Sequence, residues 1–352
     1  MNRDTIALYN REAQRWARAR KPVRRAEAET FAGAVRSGGV RVDVGCGAGR
    51  YLGDLGAPAI AMDASIEMVK LARETVPMAL PLLADVSALP LRRGSVAGAW
   101  AAMTYHHIER ERVPMALADL HRALESDAVV DLTVVAGEYE GTALPGDDFP
   151  GRYFASWTPD WLAEVMTGAG FVVHSAGVTD KDQAHVVATR ARTLPDTVGP
   201  NMRVLVCGLN PSIYSADLGV GYARPGNRFW PAAVDAGLVT VPLDPVAALQ
   251  RDGVGITDLV KRATVAASEL TKDEYRAGAD RVRRLVKWLR PGAICFVGMA
   301  GYRIAVDKGA QPGWQPQPFA DRPAYVMPST SGLNASTRFD TLVAHLKACA
   351  GH

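Results

Sequence analysis

Two sets of residues in this chain have the types and the spacing that chemistry requires. The first is Val42-Asp43-Val44-Gly45-Cys46-Gly47-Ala48-Gly49, an apolar strand that runs into three alternating glycines. Glycines in such a turn let the backbone approach a ligand closely and present N–H groups at a helix N-terminus. Nicotinamide-binding folds use similar turns, so the residues downstream discriminate. The segment AIAMDAS ends a second strand in Asp63, eighteen residues after Gly45, where a carboxylate can accept both hydroxyls of a ribose. LLADVSALPL ends a third strand at Asp85 and Val86, with Asp85 placed to take an adenine amino group and the apolar Leu89 nearby. The second set begins where the strand RVLVCG delivers Leu209-Asn210-Pro211-Ser212 at its C-terminal end, the end at which open α/β sheets place ligands. Tyr222 stands twelve residues after Asn210 and is followed by Ala-Arg-Pro-Gly-Asn-Arg-Phe-Trp, then by GITDLVKRAT and VMPSTSGLNAST. An Asn-Pro pair alone is most often a turn, so Asn210 gains meaning from this company.

Positioning these residues takes two frames. The 352 residues suffice for two ordinary domains, and 48% hydrophobic residues can fill two cores. In the first frame the short apolar runs VRVDVG, AIAMD, PLLAD, AGAWAA and AVVDLTVV alternate with helical stretches, the pattern of a parallel, doubly wound sheet. After GFVVHSAG and AHVVATR, the segment TLPDTVGPN at 193–201 lacks periodicity and reads as a linker. A second strand–helix series follows, with NMRVLVCGLN, GAICFVG and RPAYVMP as strands. Its helix DEYRAGADRVRRLVKWLR carries Val282, Leu285, Val286 and Leu289 on one face. The opposite face is basic, either a solvated surface or a track for phosphates. Residues 202–352 hold 18 Lys and Arg against 12 Asp and Glu, a balance that suits a polyanionic partner. No apolar run approaches a membrane span, and the polar start lacks the apolar core of a secretory signal, so a cytoplasmic protein with no membrane partner is expected. Cys46, Cys207, Cys295 and Cys349 are too scattered for a zinc or iron–sulfur site, which leaves buried thiols and no metal.

With these motifs, residues 1–192 resemble the class I S-adenosylmethionine-dependent methyltransferases, in particular their small-molecule and tRNA-modifying branch. The pattern extends through AAMTYHHI with the helix LADLHRALE and through YFASWTPDWLAEVMTGAGF. The resemblance implies S-adenosylmethionine as cofactor, held by Asp43, Gly45, Gly47, Gly49, Asp63, Asp85 and Val86. His106 and His107 stand where the fourth strand meets the methyl group; either can be a general base, or both can be structural. The N-terminal YNREAQRWARARKPVRR resembles the lid helix of such enzymes, and its six basic residues from Arg15 to Arg25 are candidates for touching nucleic acid. Glu125-Ser126-Asp127-Ala128 replaces the family's usual Lys-Pro-Gly-Gly turn, and neither the Asn/Asp-Pro-Pro-Tyr/Phe motif nor a Pro-Cys pair is present, so the methyl acceptor stays unknown.

Residues 202–348 resemble the mismatch-specific uracil/thymine DNA glycosylases of the uracil-DNA glycosylase superfamily. The family's motifs occur in order, with Leu209 and Ser212 replacing its usual Ile and Gly. The resemblance implies that Asn210 holds the water that attacks the sugar, that Tyr222 stacks on an extruded base, and that Ser215 and Asn227 contribute to the base pocket. Leu333, with Ser331 and Gly332, is implied as the wedge that fills the gap left in the duplex. Asp258 is either a second catalytic residue of the pocket or the N-cap of a following LVKR helix. Ala335 stands where some relatives carry an arginine to the opposite strand. No lysine accompanies the motifs as a nucleophile, so base release without strand cleavage is expected, with no cofactor.

The fold expected is therefore α/β in two domains: a Rossmann-like class I methyltransferase sheet at 1–192 and a three-layer α/β/α uracil-DNA-glycosylase-like domain at 202–352, joined by 193–201. The function expected is a DNA glycosylase acting on uracil in mismatched double-stranded DNA, fused to a methyltransferase of unknown acceptor. Two alternatives stay open. The second domain can serve mainly to bind DNA for the methyltransferase, or the first can sense S-adenosylmethionine and regulate the glycosylase.

Overall fold

Aliphatic and β-branched runs become most strands of two main sheets in the computed structural model, which describes residues 1–334 and 336–351. The chain divides into one unit of Met1–Thr167 with Phe171–Ala191 and a second of Arg192–His352 with Gly168–Gly170. The first unit contains β1 (Arg41–Val44), β2 (Ala59–Asp63), β3 (Leu80–Leu83), β4 (Val96–Ala102), β5 (Leu124–Val135), the short pair β6 (Glu140–Gly141) and β7 (Phe154–Ala155), β8 (Phe171–Val178) and β9 (Gln183–Arg190). Its seven-stranded sheet runs β3-β2-β1-β4-β5-β9-β8. β9 is antiparallel to both neighbours and the other pairs are parallel. All four residues of β1 are buried, as a central parallel strand covered on both faces requires.

Several local expectations need revision. β3 ends at Leu83, so Asp85 and Val86 lie in the turn beyond it. Residues 125–128 form no separate turn but lie within β5, where the register against β4 shifts between Leu124 and Val129 and Asp127 adopts a left-handed φ of 61°, a conformation Asp tolerates better than most residues. Helix Arg3–Ala19 is capped by Asn2 and buries Leu8, Ala13 and Trp16 against Met68 and Phe149. Of the six basic residues in this region, Arg24 is buried and unavailable to a partner. It pairs with Asp131 at 3.0 Å and lies over the Trp100 ring.

The second unit contains β10 (Val204–Gly208), β11 (Val254–Asp258), β12 (Ala293–Val297), β13 (Gly313–Trp314) and β14 (Ala324–Met327), in the order β11-β10-β12-β14-β13. All pairs are parallel except β13 with β14. Alternate residues feed two cores. Leu205, Cys207, Ile294, Phe296 and Val326 face helix Lys272–Leu289, whereas Val204, Val206, Cys295 and Val297 face helices Phe229–Asp235 and Phe339–Ala350. This is the three-layer arrangement. Helix Lys272–Leu289 starts at a Thr271/Glu274 capping box and buries the four apolar residues that its periodicity singles out. All four cysteines are buried free thiols. Among the described residues no helix is long and apolar enough to cross a membrane.

The segment 193–201 is more than a tether. Leu194, Thr197 and Val198 are buried, and Thr197 pairs with Ile256 of β11. Asp196 receives Lys261 at 2.8 Å, Arg281 at 2.6 Å and the Thr257 hydroxyl at 2.6 Å. Arg281 is thus withdrawn from the basic face of its helix. Burial pushes the Asp196 carboxyl up, but Arg281 and Lys261 together outweigh it and hold its pKa below the ordinary value. Asp196→Ala strands a buried guanidinium, and the second unit is expected to lose about 3–5 kcal/mol in chemical denaturation at neutral pH. The wild-type contribution should fade as pH falls through the depressed pKa. A loss under about 1 kcal/mol would assign the cluster no stabilising role.

Candidate functional site

In the first unit the glycine turn sits at the C-terminal end of β1, where the adjacent strands open. Gly45, Gly47 and Gly49 have φ of 74°, 52° and 78°. A Cβ on Gly45 would fall on the Thr104 side chain, and one on Gly47 would lie 2.8 Å from the Trp16 ring, so the backbone is bare where these residues border a cavity. Gly49 acts differently: its Cβ would meet Ala72 at 2.9 Å, so it permits packing against helix Ile66–Thr75. The cavity, of about 690 Å³, is lined by Gly45, Gly47, Asp63, His106 and His107 among others, with Tyr9 and Trp16 of helix Arg3–Ala19 on another wall. Asp63 accepts Gly47 N–H at 2.9 Å on one carboxylate oxygen and Ser65 N–H at 2.8 Å on the other. Each oxygen keeps a lone pair for a further donor.

Asp43, Asp85 and Val86 do not border this cavity. Asp43 is buried in β1 with Oδ2 unpartnered, and burial raises its pKa to about 7. The Asp85 carboxylate is taken by the Met1 ammonium at 2.8 and 3.0 Å and by Ser87 N–H at 2.8 Å. His106 and His107 are both buried, in edge contact with each other and against Phe154. Burial pushes both pKa values down, that of His107 to about 4, so both imidazoles are neutral at pH 7.

In the second unit β10 pairs with β11 so that Gly208 stands beside Asp258. Asn210 and Asp258 therefore emerge at the C-terminal ends of adjacent parallel strands, and the loop holding Leu333 follows β14 at the same edge. The Asn210 amide nitrogen donates to Thr264 Oγ1 at 2.8 Å, to Arg262 C=O at 3.0 Å and to Pro211 C=O at 3.2 Å. Its Oδ1 has no partner among the described residues and is left to accept from a water. Thr264 was not singled out by sequence; its signal is faint, a small polar residue in the loop after β11. No helix follows Asp258, which excludes the cap reading: residues 259–263 leave the strand as bends, with Leu259 and Val260 N–H bonded to Gly208 and Leu209 C=O. The Asp258 carboxylate accepts no hydrogen bond among the described residues, and burial raises its pKa to about 6.

Tyr222 holds a left-handed φ of 59° and stacks on Phe229 with centroids 4.1 Å apart. Its buried hydroxyl lacks a partner, and both it and Asp258 Oδ1 crowd the α-carbon of Gly208: a Cβ there would lie 2.8 and 2.5 Å from them. The Ser215 hydroxyl is buried and bonded to Ser212 at 3.1 Å. Asn227 Oδ1 accepts Phe229 N–H at 2.9 Å, so that oxygen shapes the turn into helix Phe229–Asp235. Leu333 is 87% exposed at the tip of its loop. Arg228, part of the quoted motif but given no role from sequence, anchors that loop through Thr337 C=O at 2.6 Å and Asn334 C=O at 2.7 Å. Gly332 is required where it stands, since a Cβ would lie 2.8 Å from Gly226 C=O. Ala335 lies outside the described residues.

Residues 195–348 match the family model of the uracil DNA glycosylase superfamily, and residues 42–130 match that of a methyltransferase domain. Three solved structures are similar over about half of the chain. The Haloferax volcanii complex between the Trm112 methyltransferase activator and a methyltransferase is 16% identical, covering 53% of this chain and 97% of that one at a TM-score of 0.44. Burkholderia thailandensis 1,6-didemethyltoxoflavin-N1-methyltransferase is 20% identical, covering 53% and 86% at 0.42. A SAM-dependent methyltransferase from Aquifex aeolicus is 21% identical, covering 50% and 97% at 0.40.

The raised pKa of Asp258 has a sign that can be measured. A carboxyl whose folded pKa lies near 6, above its ordinary 3.8, stabilises the fold at low pH and loses that contribution as pH rises through 6. Asp258→Asn should therefore gain stability relative to wild type between pH 4 and pH 7, by up to about 3 kcal/mol. A pH-independent difference in thermal unfolding would mean that Asp258 titrates normally.

Proposed function

We propose that this chain, which carries a uracil DNA glycosylase superfamily domain behind a methyltransferase domain, is a DNA glycosylase that hydrolyses the N-glycosidic bond of uracil or a related pyrimidine in mismatched DNA, fused to an S-adenosylmethionine-dependent methyltransferase. The observation that carries the glycosylase reading is the Asn210 amide. With its nitrogen committed to Thr264 and Arg262, Oδ1 is the atom left to orient a water. An amide is no base, so the rate comes from positioning that water under C1′ and from a leaving base that tolerates negative charge. Uracil and thymine do; cytosine and adenine do far less. The Asp258 carboxyl, with a pKa near 6, is suited to take the water's proton as the bond breaks. Tyr222 supplies a ring for the extruded base, a contact worth about 1–3 kcal/mol. Leu333, exposed on an anchored loop, supplies the wedge. Base release leaves the strand uncut, because the proposed nucleophile is water rather than an amine.

The glycine cradle of the first unit fits S-adenosylmethionine. Thr104 and Trp16 leave no room for a Cβ at Gly45 or Gly47, so the backbone there stays bare beside the cavity, and Asp63 keeps lone pairs for the ribose hydroxyls. The cofactor, when bound, supplies an electrophilic methyl group. Helix Arg3–Ala19 forms one wall of the cavity.

Asn210→Ala should lower single-turnover uracil release from a G·U duplex by at least about 100-fold while leaving duplex binding nearly intact. Wild-type rate in that variant would dismiss the water-positioning role. Asp63→Ala should weaken S-adenosylmethionine binding at least about tenfold in calorimetry, the scale of one lost charge-assisted hydrogen bond, with glycosylase activity untouched. Unchanged affinity would remove Asp63 from the cofactor site.

A further inference from the structure

The two adjacent histidines of the first unit are not equivalent, and their partners decide which ring nitrogens carry protons. His107 Nδ1 lies 2.6 Å from Tyr153 C=O, which can only accept, so Nδ1 holds the proton of this neutral ring. His107 Nε2 is then an acceptor, and it takes the Tyr9 hydroxyl at 2.8 Å. The Tyr9 oxygen in turn accepts from Arg152 Nη1 at 2.9 Å. His106 Nε2 lies 3.2 Å from the same His107 Nε2. A second acceptor at that distance would be repelled, whereas a hydrogen on His106 Nε2 can share the one lone pair of His107 Nε2 with the Tyr9 hydroxyl, so His106 Nε2 carries the hydrogen. What remains is His106 Nδ1: a lone-pair nitrogen, buried, without a hydrogen-bond partner, in a ring that borders the cavity. Both nitrogens of His107, by contrast, are used within the protein.

We propose that His106, through Nδ1, is the base that takes the proton of the methyl acceptor, and that the acceptor is a phenolic or enolic O–H or a heteroaromatic N–H. The assignment rests on the first unit binding S-adenosylmethionine. The X–H bond of the acceptor breaks as the X–CH₃ bond forms, the proton moves to Nδ1, and the sulfonium sulfur takes the electron pair of its bond to the methyl group and leaves as a thioether. The acceptor class follows from how poorly the site holds that proton. Burial, His107 and Arg152 all disfavour imidazolium at His106. A base so weakened removes a proton from a group that is itself acidic, and does little for an aliphatic alcohol. An alkylammonium would enter a cavity lined by five cationic side chains, Arg20, Lys21, Arg24, Arg50 and Arg152, against three carboxylates, Asp63, Asp147 and Asp148, two of which are already paired with Arg20 and Arg152. Tyr9, Trp16 and Phe154 line the same space and offer aromatic surface to a planar ring.

The test uses the full chain with S-adenosylhomocysteine bound, and ¹⁵N NMR of its histidine side chains. His106 should show an unprotonated Nδ1 and His107 a protonated one. With S-adenosylmethionine, wild type should methylate 7-hydroxycoumarin or benzotriazole and leave n-butylamine unmodified. His106→Phe, and His106→Asn as a second variant, should lose that transfer about 100-fold or more while still binding S-adenosylhomocysteine. A His106 protonated at Nδ1 overturns the assignment, as do variants within twofold of wild type or a preference for n-butylamine. No transfer to either acidic probe overturns the acceptor class. Failure of wild type to bind S-adenosylhomocysteine overturns the cofactor reading and this assignment with it.

Discussion

The Asn210 amide nitrogen is held at once by the Thr264 hydroxyl and the Arg262 carbonyl, and the role proposed for this side chain depends on that restraint. A free Asn side chain turns about its last bond and can present either end of its amide. Here two acceptors fix the nitrogen, and the oxygen faces whatever enters. The restraint is only as good as the register between two loops. Ser212 and Thr264 form a bridge, Ile213 N–H bonds to Thr264 C=O, and Thr264 N–H bonds to Pro211 C=O. Those loops continue β10 and β11, whose five aligned pairs set their relative height. Beneath them, Lys261 of the second loop reaches Asp196, which also holds Arg281 of the long helix. A proposed catalytic amide is thus tied to a buried ion cluster through backbone pairing rather than by direct contact.

Much of this frame was legible because it rests on local pattern. The strands β2, β10 and β12 appear as apolar runs at the positions where they form, since a buried parallel strand needs little else. Helix Lys272–Leu289 was legible from its apolar face. What pattern could not show was pairing over distance. Arg281 looks like one more surface charge until Asp196, 85 residues away, is brought beside it. Arg228 reads as part of a motif and turns out to anchor the loop of Leu333. Asp258 carries the residue type of a helix cap, but Gly208 and Leu209 capture the next two N–H groups, and the chain never turns into a helix. Asp85 fell beyond its strand because β3 stops two residues early.

The histidine pair shows the same division inside a single site. Adjacent in sequence and equally buried, His106 and His107 are alike in composition and position on the chain. Only Tyr9, from helix Arg3–Ala19, and Tyr153, from beside β7, separate them, by consuming both nitrogens of His107. The difference between a structural imidazole and a proposed catalytic one is therefore made by residues 98 and 46 positions away.

The central claim is that the unit built around Asn210 breaks an N-glycosidic bond with water. Its most direct measurement is a single-turnover assay of the wild-type chain on a G·U duplex labelled both in the uracil and at a strand end. The account predicts that free uracil appears while the labelled strand stays full length, breaking only when the abasic product is treated with alkali. Retention of uracil in the duplex, or strand cleavage in step with base release, would contradict it.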